Sequence, residues 1–134
     1  MMDPRAGATS AYVAASHGGT ALVAAALRDV GATSPQLGLP SSLSCGDVVN
    51  RWRRKAGLRA VPSRRAIDQA RYGVRLSRPE TGSLMITSRR GGHHVDVVAS
   101  VHGDGTITVV RPNWTRRVQI QRIRPARGLF IRPI

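Results

Sequence analysis

Cys45 is the only cysteine of the chain, and it opens the stretch CGDVVNRWRRK. Two adjacent histidines, His93 and His94, open a second stretch, HHVDVVASV, whose apolar residues then alternate. A thiol becomes a strong nucleophile when a base within hydrogen-bond reach takes its proton, and the base needs a third group to orient it. Histidine suits that transfer because its ordinary pKa lies near neutrality. Further on, RPNW (111–114) contains Asn113, whose side-chain carbonyl can accept an imidazole N–H. Cysteine, histidine and asparagine in that order make a candidate triad for acyl transfer.

The elements that would carry these residues can be read from spacing. Val48, Val49, Trp52 and Ala56 recur at helical intervals, with Arg51, Arg53, Arg54 and Lys55 largely filling the other positions. A helix therefore begins at Ser44 or Cys45 and stops at Gly57. Cys45 falls in its first turn, where free backbone N–H groups and the helix dipole favour a thiolate. A free cysteine is also at home as a small buried hydrophobe, and Cys45 lies close to the apolar face. In a strand that begins near residue 94, His94 shares a face with Asp96 and Val98, and His93 shares the other with Val95, Val97 and Ala99. HGDG (102–105) is a hairpin turn, so residues near 94 come opposite residues near 113, both being equally far from the turn.

Around these segments, Thr20–Val30 reads as an Ala- and Leu-rich helix with Thr20 as its cap and Gly31 as its stop. Residues 31–43 are a loop rich in Gly, Pro and Ser. A short third helix is predicted from Ser63 to Tyr72. Strands are predicted over 83–88, 94–101, 106–110, 117–123 and 129–134, with Pro133 marking the last as an edge. Helices first and an antiparallel sheet of about five strands afterwards define an α+β domain. Residues 1–18, rich in Ala, Ser and Gly, form a loose lead-in, and 19–134 form a single domain.

The chain has 134 residues, of which 41% are hydrophobic and only 4% aromatic, so one modest core built on Val, Ile, Leu and Ala is expected. Twenty arginines and Lys55 stand against 7 acidic residues, a formal charge of +14. That excess attracts polyanions such as nucleic acid, anionic cell wall, a membrane surface or an acidic partner, and does not choose among them. RWRRK (51–55) and the two SRR clusters (63–65 and 88–90) read as solvated or wall-facing surface, because they lack interleaved aromatics and match no DNA-reading motif. One cysteine excludes an internal disulfide and a paired-cysteine metal site. His93, His94, Asp96 and His102 make a poor metal set, since adjacent strand histidines point to opposite faces. No apolar run reaches transmembrane length. The N-terminus lacks a basic n-region, and ALVAAAL (21–27) reads as helix rather than signal core, so neither a signal peptide nor membrane insertion is expected.

Three segments carry a family resemblance: SLSCGDVVNRWRRKAGLR, GSLMITSRRGGHHVDVVASVHGDGTITVVRPNW and RRVQIQRIRP. Together they resemble the CHAP amidase/peptidase family of papain-like cysteine hydrolases, related to the NlpC-type cell-wall peptidases, from about residue 20 onward. The likeness extends to a small bacterial and phage subfamily with a Trp-Cys pair and an Arg-Arg-Gly-Gly-Gly-His-Val strand start. It implies a papain-like fold and a Cys45–His94–Asn113 triad acting on peptidoglycan amides without a cofactor. The family's histidine directly precedes the strand valine, which makes it His94 and leaves His93 as the extra one, with a role in packing or at the surface. Ser41, Ser42 and Ser44 are the candidate oxyanion or substrate contacts. Asp96, Arg111, His93 and Trp114 are candidates for a supporting layer. Four positions depart from the family pattern: Arg111 stands where many members have Glu, Ser44 replaces an aromatic, Asp96 replaces a small residue, and His93 replaces Gly. An inactive, wall-binding component of a virion or secretion assembly, with partner proteins there, is the alternative, and a basic nucleic-acid-binding module is the more distant one. The hydrolase and the wall-binding component would both place the protein at a bacterial wall, as a phage-encoded or virion-associated product delivered without a standard signal.

Overall fold

A computed structural model describes residues 17–41, 45–125 and 127–134. Ser42 and Ser44, two of the oxyanion candidates, lie outside these residues, as does almost all of the predicted lead-in. Helix α1, His17–Arg28, starts three residues before the predicted cap Thr20. Leu22, Ala25 and Ala26 on one stripe of it are buried. Helix α2, Cys45–Lys55, follows a short 3-10 turn at Pro35–Leu37 and buries Val48, Val49 and Trp52. Both helices pack on the sheet through these residues, together with Leu84, Ile86, Val95, Val97 and Val110. Each such Val, Leu or Ile contributes about 1.5–3 kcal/mol by leaving water, and the small Val and Ala residues let the layers approach closely.

The predicted helix over 63–72 is instead a 3-10 segment confined to Ala66–Arg71. Arg65 ahead of it is extended (φ −75°, ψ 131°), which delays the start. The Ser63 hydroxyl is taken up locally, accepting the Arg65 N–H at 3.1 Å and donating to Asp68 at 2.6 Å.

The sheet has six strands: β1 (Gly73–Leu76), β2 (Leu84–Arg89), β3 (Gly92–Val101), β4 (Ile107–Trp114), β5 (Arg117–Ile123) and β6 (Leu129–Pro133). Their order is β1-β6-β2-β3-β4-β5, and every described pairing is antiparallel. Strand β1 has no periodic signature of its own and exists because β6 offers it a partner. Consequently β6 is not the edge that Pro133 suggested. Its pairing with β2 ends at Ile131, so the missing N–H of Pro133 costs no bond on that side. Alternation along the same strands sends Met85, Val98, Ile107 and Val109 to a second, smaller apolar cluster.

Arg53 corrects the reading of RWRRK as surface, because it is wholly buried. It lies one turn after Val49 and beside Trp52, on the inner face of α2. Its guanidinium donates to the Gln69 side chain at 2.7 Å and to the carbonyls of Gln69, Tyr72, Arg59 and Ile134. Burial pushes its pKa down to about 10, so it keeps its charge at neutral pH. Asn50 bonds Val61 and Ser63 from the same helix. These two polar residues tie the irregular segment 57–72 to α2, which fixes the loop that faces Cys45.

Candidate active site

The first residue of α2 and the start of β3 meet. Cys45 Sγ lies 3.4 Å from His94 Nδ1 and 3.6 Å from the carbonyl oxygen of Pro112. Both side chains are nearly sealed, Cys45 at 6% and His94 at 4% exposure. His94 Nε2 donates to Asp96 Oδ1 at 2.6 Å. Asp96 is fully buried and is gripped twice by Arg111, Nε to Oδ1 at 3.1 Å and Nη2 to Oδ2 at 3.2 Å. The β3–β4 register, continued from Val97 opposite Val110, brings residues 96 and 111 side by side. Arg111 also lies over the Trp114 ring at 3.8 Å, and Trp114 meets the His94 ring edge-on at 5.2 Å. Imidazole, carboxylate, guanidinium and indole thus form a closed ring of contacts around His94.

The electrostatics follow from that ring. Burial by itself lowers the His94 pKa. The hydrogen bonds from Asp96 and Cys45 and the charges of both outweigh it, leaving His94 raised to about 9. At neutral pH the imidazole is therefore protonated and held between a carboxylate and the sulfur.

Asn113 does not occupy the place expected of it. Asp96, not Asn113, is bonded to His94 Nε2, and among the described residues no hydrogen bond joins the Asn113 side chain to His94. Two causes act together. Asp96 is two residues from His94 on the same strand face, so it reaches the ring without crossing strands. Asn113 takes a left-handed backbone conformation (φ 50°), and the β4–β5 register shifts there, between Arg111 and Trp114. Trp114, which meets the His94 ring, directly follows that kink.

Beside Cys45 opens a cavity of about 250 Å³, lined among the described residues by Arg64, Arg65, Arg89 and His93 as well as by Cys45 itself. Both SRR clusters, read from the sequence as outer surface, therefore meet at the mouth of the site. His93, expected in packing or at the surface, stands on the cavity wall. Ser41 is exposed. His102 turns to Thr108 at 2.7 Å, within its own hairpin. Gly46 lets the loop close over the helix start, since a Cβ there would run into the carbonyl oxygen of Arg64.

Residues 34–113 match the family model described as CHAP domain. The match covers more than half of the chain and includes Cys45, His94 and Asp96, and the chain belongs to the CHAP domain family. The family gives it a cysteine amidase or peptidase type of role directed at peptidoglycan. Neither the curated proteins nor the solved structures yield a match. Among the described residues, no helix is long and apolar enough to cross a membrane.

Proposed function

We propose that the chain hydrolyses amide bonds of peptidoglycan through a Cys45 thiolate, with His94 as acid and base and Asp96 as the group that orients His94. The observation that carries this is the line Sγ–Nδ1, Nε2–Oδ1, which ends at an open cavity. In the reactive form the thiol proton resides on His94. The sulfur attacks the amide carbonyl carbon, and the backbone N–H of Cys45 at the helix start stabilises the oxyanion, with Ser41 or Ser42 as candidate second donor. His94 then protonates the departing amine as the C–N bond breaks, leaving a thioester. Water, deprotonated by the now neutral His94, cleaves the thioester to release a carboxylate and restore the thiol. Asn113, the third residue that the family resemblance implies, would act on this reading by shaping β4 rather than by holding the ring.

A second reading is a CHAP domain that binds wall within a virion or secretion assembly without turnover. It is favoured by Arg111, which stands at a position that is often acidic in the family and draws on both oxygens of Asp96. Release of new amine termini from purified sacculi decides between the two. The hydrolase predicts release that disappears in Cys45→Ala. No release from several wall chemotypes, with sacculus binding retained, would leave the second reading.

A further inference from the structure

Resting on the hydrolase reading, we propose that the cavity beside Cys45 is a subsite for a free carboxylate on the substrate residue next to the scissile amide, bound by Arg65 and Arg89. Two segments distant in sequence bring their arginines to one mouth: Arg64 and Arg65 precede the 3-10 segment, and Arg89 ends β2. No carboxylate lines that mouth among the described residues. Arg64 is engaged by Asp47 at 2.9 Å. Asp68, whose carboxyl feels the Arg65 charge, bonds Ser63 and pairs with Arg71. No ion pair to Arg65 or Arg89 is formed among the described residues, so a substrate anion meets two cations without displacing a protein carboxylate. Ala66 and Ile67 supply an apolar floor under this basic rim. That combination fits a carboxylate carried on a short methylene stem.

Position selects the anion. The cavity shares its wall with the attacking sulfur, so its occupant is attached close to the scissile carbonyl. In an amide-linked peptide the anion at that distance is a carboxylate, whereas the phosphodiesters of other wall polymers hang on separate chains. A guanidinium fork also matches a carboxylate in two parallel hydrogen bonds.

The test uses a pair of muropeptides identical except that the stem carboxylates are free in one and converted to carboxamides in the other. Wild type should prefer the free acid in kcat/KM by about tenfold or more, the scale of one charge-assisted hydrogen bond. The preference should lie mainly in KM and should collapse toward unity in Arg65→Gln/Arg89→Gln. It should persist in Arg28→Gln/Arg75→Gln, which removes the same net charge from elements outside the cavity. Turnover with no preference for the acid, or a preference that falls equally in both double variants, overturns the subsite and leaves the hydrolase standing. If no turnover occurs, direct binding of the two muropeptides decides. Selective binding of the acid, lost only in Arg65→Gln/Arg89→Gln, upholds the subsite while the hydrolase reading falls, and equal binding overturns it.

Discussion

At His94 it is Asp96, not Asn113, that stands where a triad has its third member. Asp96 touches His94 and is the main partner raising its pKa to about 9. The sign of the pH effect follows. His94 must carry its proton to release the amine, so activity should hold through neutral pH and fall as pH rises through about 9. Asp96→Asn removes the charge that favours the imidazolium, so the alkaline limb of kcat/KM should move toward the ordinary histidine value. The accompanying loss at pH 8 should be about a hundredfold, the low end for general acid–base catalysis. A pH–rate profile of the two proteins checks this, and an unshifted limb would detach Asp96 from the mechanism. Asn113 is tested by its backbone. Asn113→Gly should keep activity within about threefold, since glycine adopts φ 50° freely, whereas Asn113→Ala should cost about 1 kcal/mol of stability for the same conformation. A hundredfold loss in a folded Asn113→Gly would return the orienting role to its side chain.

At the level of elements, the site depends on α2 being held against a loop that has little regular structure of its own. Arg53 and Asn50 reach out from α2 to bind segment 57–72, and Gly46 permits the final approach at Arg64. Gly46→Ala should therefore open this contact. A destabilisation of about 1–3 kcal/mol is expected in denaturant titration, as for other overpacked contacts, because the opposing atom is backbone and cannot rotate away. The rate of Cys45 alkylation should change in the same variant, since the cavity wall moves with the loop. Unchanged stability and unchanged alkylation would mean that the helix start yields without cost.

For the whole molecule, the charge of +14 acts at long range. Capture of anionic sacculi should weaken steeply between 50 mM and 500 mM salt, as the screening length contracts from above 10 Å to under 5 Å. Alkylation of Cys45 by a neutral reagent should stay nearly constant over that range, because the Cys45–His94–Asp96 line is buried and screened little. Co-sedimentation and alkylation kinetics in the same buffers separate the two. Equal salt dependence of both would mean that the surface field reaches into the site.

How much of this was legible in the sequence depended on the range of the interaction involved. Local pattern determined helix α2 from its 3.6-residue spacing, β3 from alternation, the HGDG hairpin and the α+β class. These rest on neighbours within a few residues or on one tight turn. Asp96 was visible as a same-face neighbour of His94, but its hold on the ring rather than Asn113's was decided by a backbone kink that no spacing announces. Strand β1 and the interior place of β6 came from a pairing across more than fifty residues. Arg53 read as surface because charge normally seeks water, and only the assembled carbonyls of Gln69, Tyr72, Arg59 and Ile134 make its burial tolerable. The two SRR clusters are identical as sequence and ordinary as surface. Tertiary structure alone brings them to one cavity beside a thiol, because the loop before Ala66 and the end of β2 share no local signal and meet only through the sheet.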